Sequence, residues 1–81
     1  MIDNNDWIPG SIVTAEMQGA HPIKAWRDHR GLTLEKLAHQ CRLSKAYLSQ
    51  IENRKRKGSL KTHRTLSKIL KVPMDILFDS Q

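Results

Sequence analysis

Residues 34–53 read Leu34-Glu35-Lys36-Leu37-Ala38-His39-Gln40-Cys41-Arg42-Leu43-Ser44-Lys45-Ala46-Tyr47-Leu48-Ser49-Gln50-Ile51-Glu52-Asn53. Apolar residues recur at helical spacing on both sides of Arg42-Leu43, so two short helices joined by a tight turn are expected. Leu34, Leu37, Ala38 and Cys41 form the inner face of the first helix. Leu48 and Ile51, with Tyr47 beside them, form that of the second. A steep crossing over so short a turn needs a small residue at the contact, and Ala38 provides it. Leu43 points inward to pin the turn. Lys45, Ala46, Ser49 and Gln50 are left facing outward.

The remaining sequence also reads as helix. Thr33 and Ser44 are placed to cap the two central helices, because a hydroxyl oxygen there accepts an orphan backbone N–H. Upstream, Pro22 opens a helix that carries Ile23 and Trp26 to about His29, and Gly31 ends it. Before that, Pro9 opens a shorter helix with Ile12, Val13 and Met17 on one face and Gly19 as its stop. Downstream, Ser59 caps a helix with Leu60, Leu66, Ile69 and Leu70 inward. Pro73 starts a last short helix, Met74 to Phe78. No segment alternates apolar and polar residues long enough to argue a strand. The expectation is an all-α fold of five to six helices. Residues 1–21 form an N-terminal extension with a short helix, and residues 22–78 form the main domain. Residues 1–7, polar apart from Ile2 and Trp7, are expected to be a mobile tail.

Composition narrows the function. The chain has 81 residues, enough for one domain, and a formal net charge of +6. Residues 1–31 set Lys24, Arg27 and Arg30 against Asp3, Asp6, Glu16 and Asp28, a balance of −1. Residues 32–81 carry +7, with a basic run Arg54-Lys55-Arg56-Lys57 directly after the second central helix. A small basic protein with its charge concentrated in this way points to a polyanion partner, above all nucleic acid. Cys41 is the single cysteine, which suits a reducing cytoplasm and a core position. No apolar run approaches the roughly 20 residues of a membrane span. The polar start has neither the basic residues nor the apolar stretch of a signal peptide. His21, His29, His39 and His63 are scattered without zinc-site spacing, and no glycine-rich phosphate loop is present. Neither an enzyme nor a cofactor or metal site is therefore expected.

Thr33-Leu34-Glu35-Lys36-Leu37-Ala38, followed by Leu43-Ser44-Lys45-Ala46-Tyr47-Leu48-Ser49-Gln50-Ile51-Glu52-Asn53 and the Arg-Lys-Arg run, resembles the lambda-repressor-like (Cro/Xre) helix-turn-helix family. The resemblance covers residues 22 to about 77. It departs from the family pattern at the turn, where Arg42 stands in place of a usual glycine, and at Leu34, where a phosphate-binding glutamine is common. The arginine is expected to cost about 1 kcal/mol in a left-handed conformation.

The resemblance implies double-stranded DNA as the partner, with the helix opened by Ser44 in the major groove. Lys45, Ala46, Ser49 and Gln50 then face bases. Lysine can donate to guanine, glutamine can bond adenine through two atoms, and alanine can touch a thymine methyl. Asn53, Arg54, Lys55, Arg56 and Lys57 are the phosphate candidates, with Lys61 and Arg64 behind them. Tyr47 either places its hydroxyl on a phosphate or packs beside the turn. Glu52 is read as structural, paired with an arginine such as Arg27. A homodimer is implied because one recognition helix covers only a few base pairs. Its half-sites would lie roughly 34 Å apart. Met74, Ile76, Leu77 and Phe78 are the dimer candidates, and Trp7, Ile8 and Ile12 form a second apolar patch. The segment Ile8-Pro9 to Val13, with Gly19 and Pro22-Ile23-Lys24-Ala25-Trp26-Arg27, also resembles the opening of Xre-type antitoxins. Three readings follow: an antitoxin that represses its own operon and binds a toxin protein, a phage-type repressor without such a partner, and a protein-bridging module with little DNA affinity.

Overall fold

In the computed structural model, which describes residues 7–79, helices follow one another with no strand among those residues. The mobile tail expected over residues 1–7 lies, apart from Trp7, outside the described residues. The helices are α1 (Gly10–Met17), α2 (Pro22–His29), α3 (Leu34–Gln40), α4 (Lys45–Glu52) and α5 (Leu60–Leu70), and a 3-10 turn at Met74–Leu77 closes the chain.

Local chemistry sets these boundaries. Thr33, Ser44 and Ser59 each accept a hydrogen bond from the backbone N–H three residues on, at Lys36, Tyr47 and Thr62. α2 begins differently: Pro22 takes the first position, and the His21 ring accepts from the Ile23 N–H at 3.0 Å. α1 follows Pro9 and has no side-chain cap.

Helix α2 lies at the centre, packed against α1, α4, α5 and the 3-10 turn. Trp26, Ile23, Leu37, Leu48, Ile51, Leu66 and Leu70 are fully buried around it. Each such side chain stabilises the fold by about 1.5–3 kcal/mol through lost apolar exposure. Ala38 and Cys41 complete the contact between α3 and α4, and Leu34 and Leu43 pack against its edge. Gly58, at φ +79°, brings the loop before α5 close to the core. A Cβ there would stand 3.0 Å from Ile51 Cδ1.

Three expectations about apolar faces are corrected. On α1 only Ile12 is buried, while Val13 and Met17 are exposed. Eight residues make little more than two turns, so α1 buries one large side chain, with Ile8 and Ala15 packed against the core beside it. On α5 Leu60 is exposed, and Thr62 and His63 are buried instead. Their polar atoms are satisfied locally, since Thr62 Oγ1 accepts from Ser59 Oγ and His63 Nδ1 lies 3.0 Å from the Ser59 carbonyl. Ile12 is part of the core, so the expected patch of Trp7, Ile8 and Ile12 loses that member. Trp7 stacks on Trp26 at 5.9 Å.

Candidate nucleic-acid interface

The exposed side of α4 is built by burying its other side. Leu48 and Ile51 point into the core and Glu52 turns back toward α2. Arg27 donates to Glu52 through Nε at 2.8 Å and Nη2 at 3.0 Å, and to the Leu32 carbonyl through Nη1 at 2.9 Å. That is the arginine partner expected for Glu52. The carboxylate keeps the guanidinium pKa above its ordinary value against the opposing effect of burial. The pair fixes the end of α4 against α2, and so sets the direction in which α4 presents its outer residues.

Lys45 and Ala46 are exposed on that outer side, while Tyr47, Ser49 and Gln50 are half-buried. Each of the three polar groups in the row Lys45, Ser49 and Gln50 has a partner. Lys45 Nζ donates to Glu35 Oε1 at 3.0 Å. Asn53 Nδ2 donates to the Ser49 carbonyl at 2.9 Å and to Ser49 Oγ at 3.2 Å. Arg56 Nε donates to Gln50 Oε1 at 2.7 Å, with its guanidinium 6.0 Å from the centre of the Tyr47 ring. Both pairs outside Ser49 cross between elements, which is why sequence spacing on α4 alone does not reveal them.

Lys55, Arg56 and Lys57 are exposed beside this row. Arg54 is placed differently from them. It turns away from the row, donating through Nε to Asp79 at 2.6 Å and through Nη1 to the Gly19 carbonyl at 3.0 Å. The expectation treated residues 54–57 as one basic run; the structure divides it, because the left-handed backbone of Arg54 (φ +61°) sends its side chain toward the chain end. Asp79 was not among the expected residues, and only tertiary contact brings it here.

Behind Arg54 lies a cavity of about 310 Å³ lined by His21, Arg54, Arg56, Lys57, His63, Phe78 and Asp79. Burial lowers the His21 pKa below its ordinary value, as do nearby Arg54 and His63, and Asp79 opposes them. Burial also lifts the Cys41 thiol to about 11, which keeps it protonated and suits the core role expected for it.

The four expected dimer residues do not share one surface. Leu77 is fully buried and belongs to the core of its own chain. The 3-10 turn packs against α2 and α5, and this turns Leu77 inward. Met74 and Ile76 are half-buried. Phe78 is 43% exposed, with its ring stacked on His63 at 4.4 Å.

Among the described residues, no group of three or more His, Cys, Asp or Glu could hold a metal ion, and no helix is long and apolar enough to cross a membrane. No curated protein matches the chain. The family model HTH_3, described as helix-turn-helix, matches residues 23–77, from α2 to the 3-10 turn. With most of its length matched, an all-helical fold and two central helices crossing over a four-residue connection, the chain belongs to the lambda-repressor-like (Cro/Xre) helix-turn-helix family and is a DNA-binding transcription regulator.

Proposed function

We propose that this protein is a sequence-specific repressor that binds its operator as a homodimer. In this reading α4 lies in the major groove. Lys45, Ala46, Ser49 and Gln50 face base edges, and Asn53, Lys55, Arg56 and Lys57 hold the phosphates. The observation that supports it is the outward row on α4 with exposed cations directly beside it. Phosphate neutralisation supplies affinity and base edges supply specificity. Met74, Ile76 and Phe78 form the dimer contact, placing the half-sites about one helical turn apart, roughly 34 Å.

The test starts from sites selected out of a random DNA pool. Gln50→Ala should lose about 1–3 kcal/mol on the selected site and nothing on unrelated DNA. Lys55→Ala should weaken all sequences alike and lower the salt slope by about one unit. Wild-type behaviour in both variants would rule out this face. A monomer mass in light scattering, with and without operator, would rule out the dimer.

The finer reading makes the protein the antitoxin of a toxin–antitoxin pair that represses its own operon. It is favoured by α1, which lies outside the matched segment and leaves Val13 and Met17 exposed, as Trp7 before it is. Such a face suits a protein partner more than DNA. Neutralisation of a toxic product from an adjacent reading frame, lost in Met17→Asp, is the expected result. Full neutralisation by a variant lacking α1 would refute it.

A further inference from the structure

The amide of Gln50 has a fixed orientation. An arginine guanidinium only donates, so the Gln50 atom 2.7 Å from Arg56 Nε is the amide oxygen. The Gln50 Nε2 group is then the end left for another partner. Backbone geometry keeps Arg56 in place. The N–H groups of Lys55 and Arg56 both donate to the Gln50 carbonyl, at 2.8 and 3.2 Å, so the chain after α4 folds back over Gln50 itself. The left-handed Arg54 makes that reversal. The neighbouring groups have the same polarity. Ser49 Oγ accepts from Asn53, which leaves its O–H to donate, and Lys45 can only donate.

A glutamine free at both ends pairs with adenine by accepting from N6 and donating to N7. The oxygen keeps a second lone pair, but Arg56 Nε holds it on the loop side, so Gln50 leads with its Nε2 donors. Adenine then sets its N6 amino group against another donor, whereas guanine offers two acceptors, N7 and O6. We propose that Arg56 is a specificity-determining positioning residue: by holding the amide oxygen of Gln50 it turns that glutamine into a donor that selects guanine over adenine at the base pair it faces. The inference rests on the reading that α4 lies in the major groove with Gln50 toward the bases.

The experiment selects binding sites from randomised duplex DNA with the full chain and with Gln50→Ala, Arg56→Met and Arg56→Lys. Thermal melts check that each variant is folded, as an exposed Arg56 predicts. Wild type should choose guanine at one position, by about tenfold over adenine. Gln50→Ala should lose the choice at that position alone. Arg56→Met should shift the same position toward adenine, while Arg56→Lys, which keeps a cationic donor, should retain part of the guanine preference. Loss of a phosphate contact lowers affinity for every sequence and leaves the guanine-to-adenine ratio unchanged. An unchanged ratio in Arg56→Met, beside a lost preference in Gln50→Ala, would therefore overturn the role of Arg56 and leave the placement of α4 intact. Adenine chosen by wild type at that position would also overturn it. No altered position in Gln50→Ala would instead refute the reading of α4 on which the inference rests.

Discussion

The first two helices and the last three end by the same backbone device with different residues. α1 and α2 end on glycines, Gly19 at φ +98° and Gly31 at φ +70°. α3, α4 and α5 end on Arg42, Arg54 and Lys71, at φ +57°, +61° and +61°. In each case the left-handed residue lets the next N–H reach back five residues. Ala20 donates to Ala15, Leu32 to Arg27, Leu43 to Ala38, Lys55 to Gln50 and Val72 to Ser67, at 2.8–3.1 Å. The glycines take this conformation without steric cost, whereas the side chains cost roughly 1 kcal/mol each. A cation at a helix C-terminus recovers about 0.3–1 kcal/mol from the helix dipole. The two nearly offset. The second half of the molecule thus accepts local strain and places positive charge at the ends of all three of its helices, in the part of the chain that carries the +7 balance.

The comparison can be broken first where the halves are joined. Arg27 of α2 and Glu52 of α4 are both largely buried, with side chains 12% and 6% exposed. Glu52→Ala would leave the guanidinium only the exposed Asp28 at 3.3 Å and the Leu32 carbonyl, and should cost up to about 3–5 kcal/mol in chemical denaturation. A loss below about 1 kcal/mol would mean that the halves hold together by apolar packing alone.

The next effect tests the glycine half. A Cβ on Gly31 would meet nothing within 4 Å, so Gly31→Ala isolates the backbone cost. It should lower stability by about 1–2 kcal/mol, measured the same way. No change would show that this half does not depend on glycine at its helix ends.

A further test is confined to acid. His21 accepts from Ile23 N–H through Nδ1, and burial holds its pKa below the ordinary 6.5, with Arg54 and His63 acting in the same sense and Asp79 against. The unfolded chain therefore binds this proton more readily than the folded one. The contribution of His21 is complete above pH 6.5 and falls as the pH drops from there through the lower folded value. His21→Asn keeps a capping acceptor without the titration, so its stability should vary less over that range. Equal slopes for the two proteins in melts across pH 5–7 would exclude the assignment.

The same contrast explains what could be read from residues alone. The caps at Thr33, Ser44 and Ser59 and the glycine stops are local signals, and the helices they bound agree with them. The inner row Leu37, Ala38, Leu48 and Ile51 was legible because its spacing and the tight turn admit one arrangement. The left-handed Arg42 was legible only by resemblance. Arg54 and Lys71 carry no local signal of this kind, since arginine and lysine are ordinary inside helices. Nor did spacing reveal that Arg54 reaches Asp79, 25 positions away, or that Leu60 lies outside while His63 is enclosed. Those placements depend on how α5 and the chain end settle against α2 and α4.

The smallest effect expected is at Arg42, and it bears most directly on why this half uses cations. Arg42 is exposed at φ +57°, and among the described residues no side-chain hydrogen bond or ion pair involves it. Its backbone N–H donates to the His39 carbonyl at 3.1 Å, a bond that glycine would keep. Arg42→Gly relieves the steric cost of the left-handed conformation, about 1 kcal/mol, but loses the dipole attraction and loosens the unfolded chain. The net expectation is a protein as stable as wild type or more stable, by up to about 1 kcal/mol. A clear destabilisation without DNA would mean that the arginine packs usefully over the turn. If stability rises and affinity for DNA does not change, the cation is a matter of helix ends alone. If stability rises while the salt slope of binding falls by about one unit, Arg42 is a phosphate contact and its strain is retained for binding.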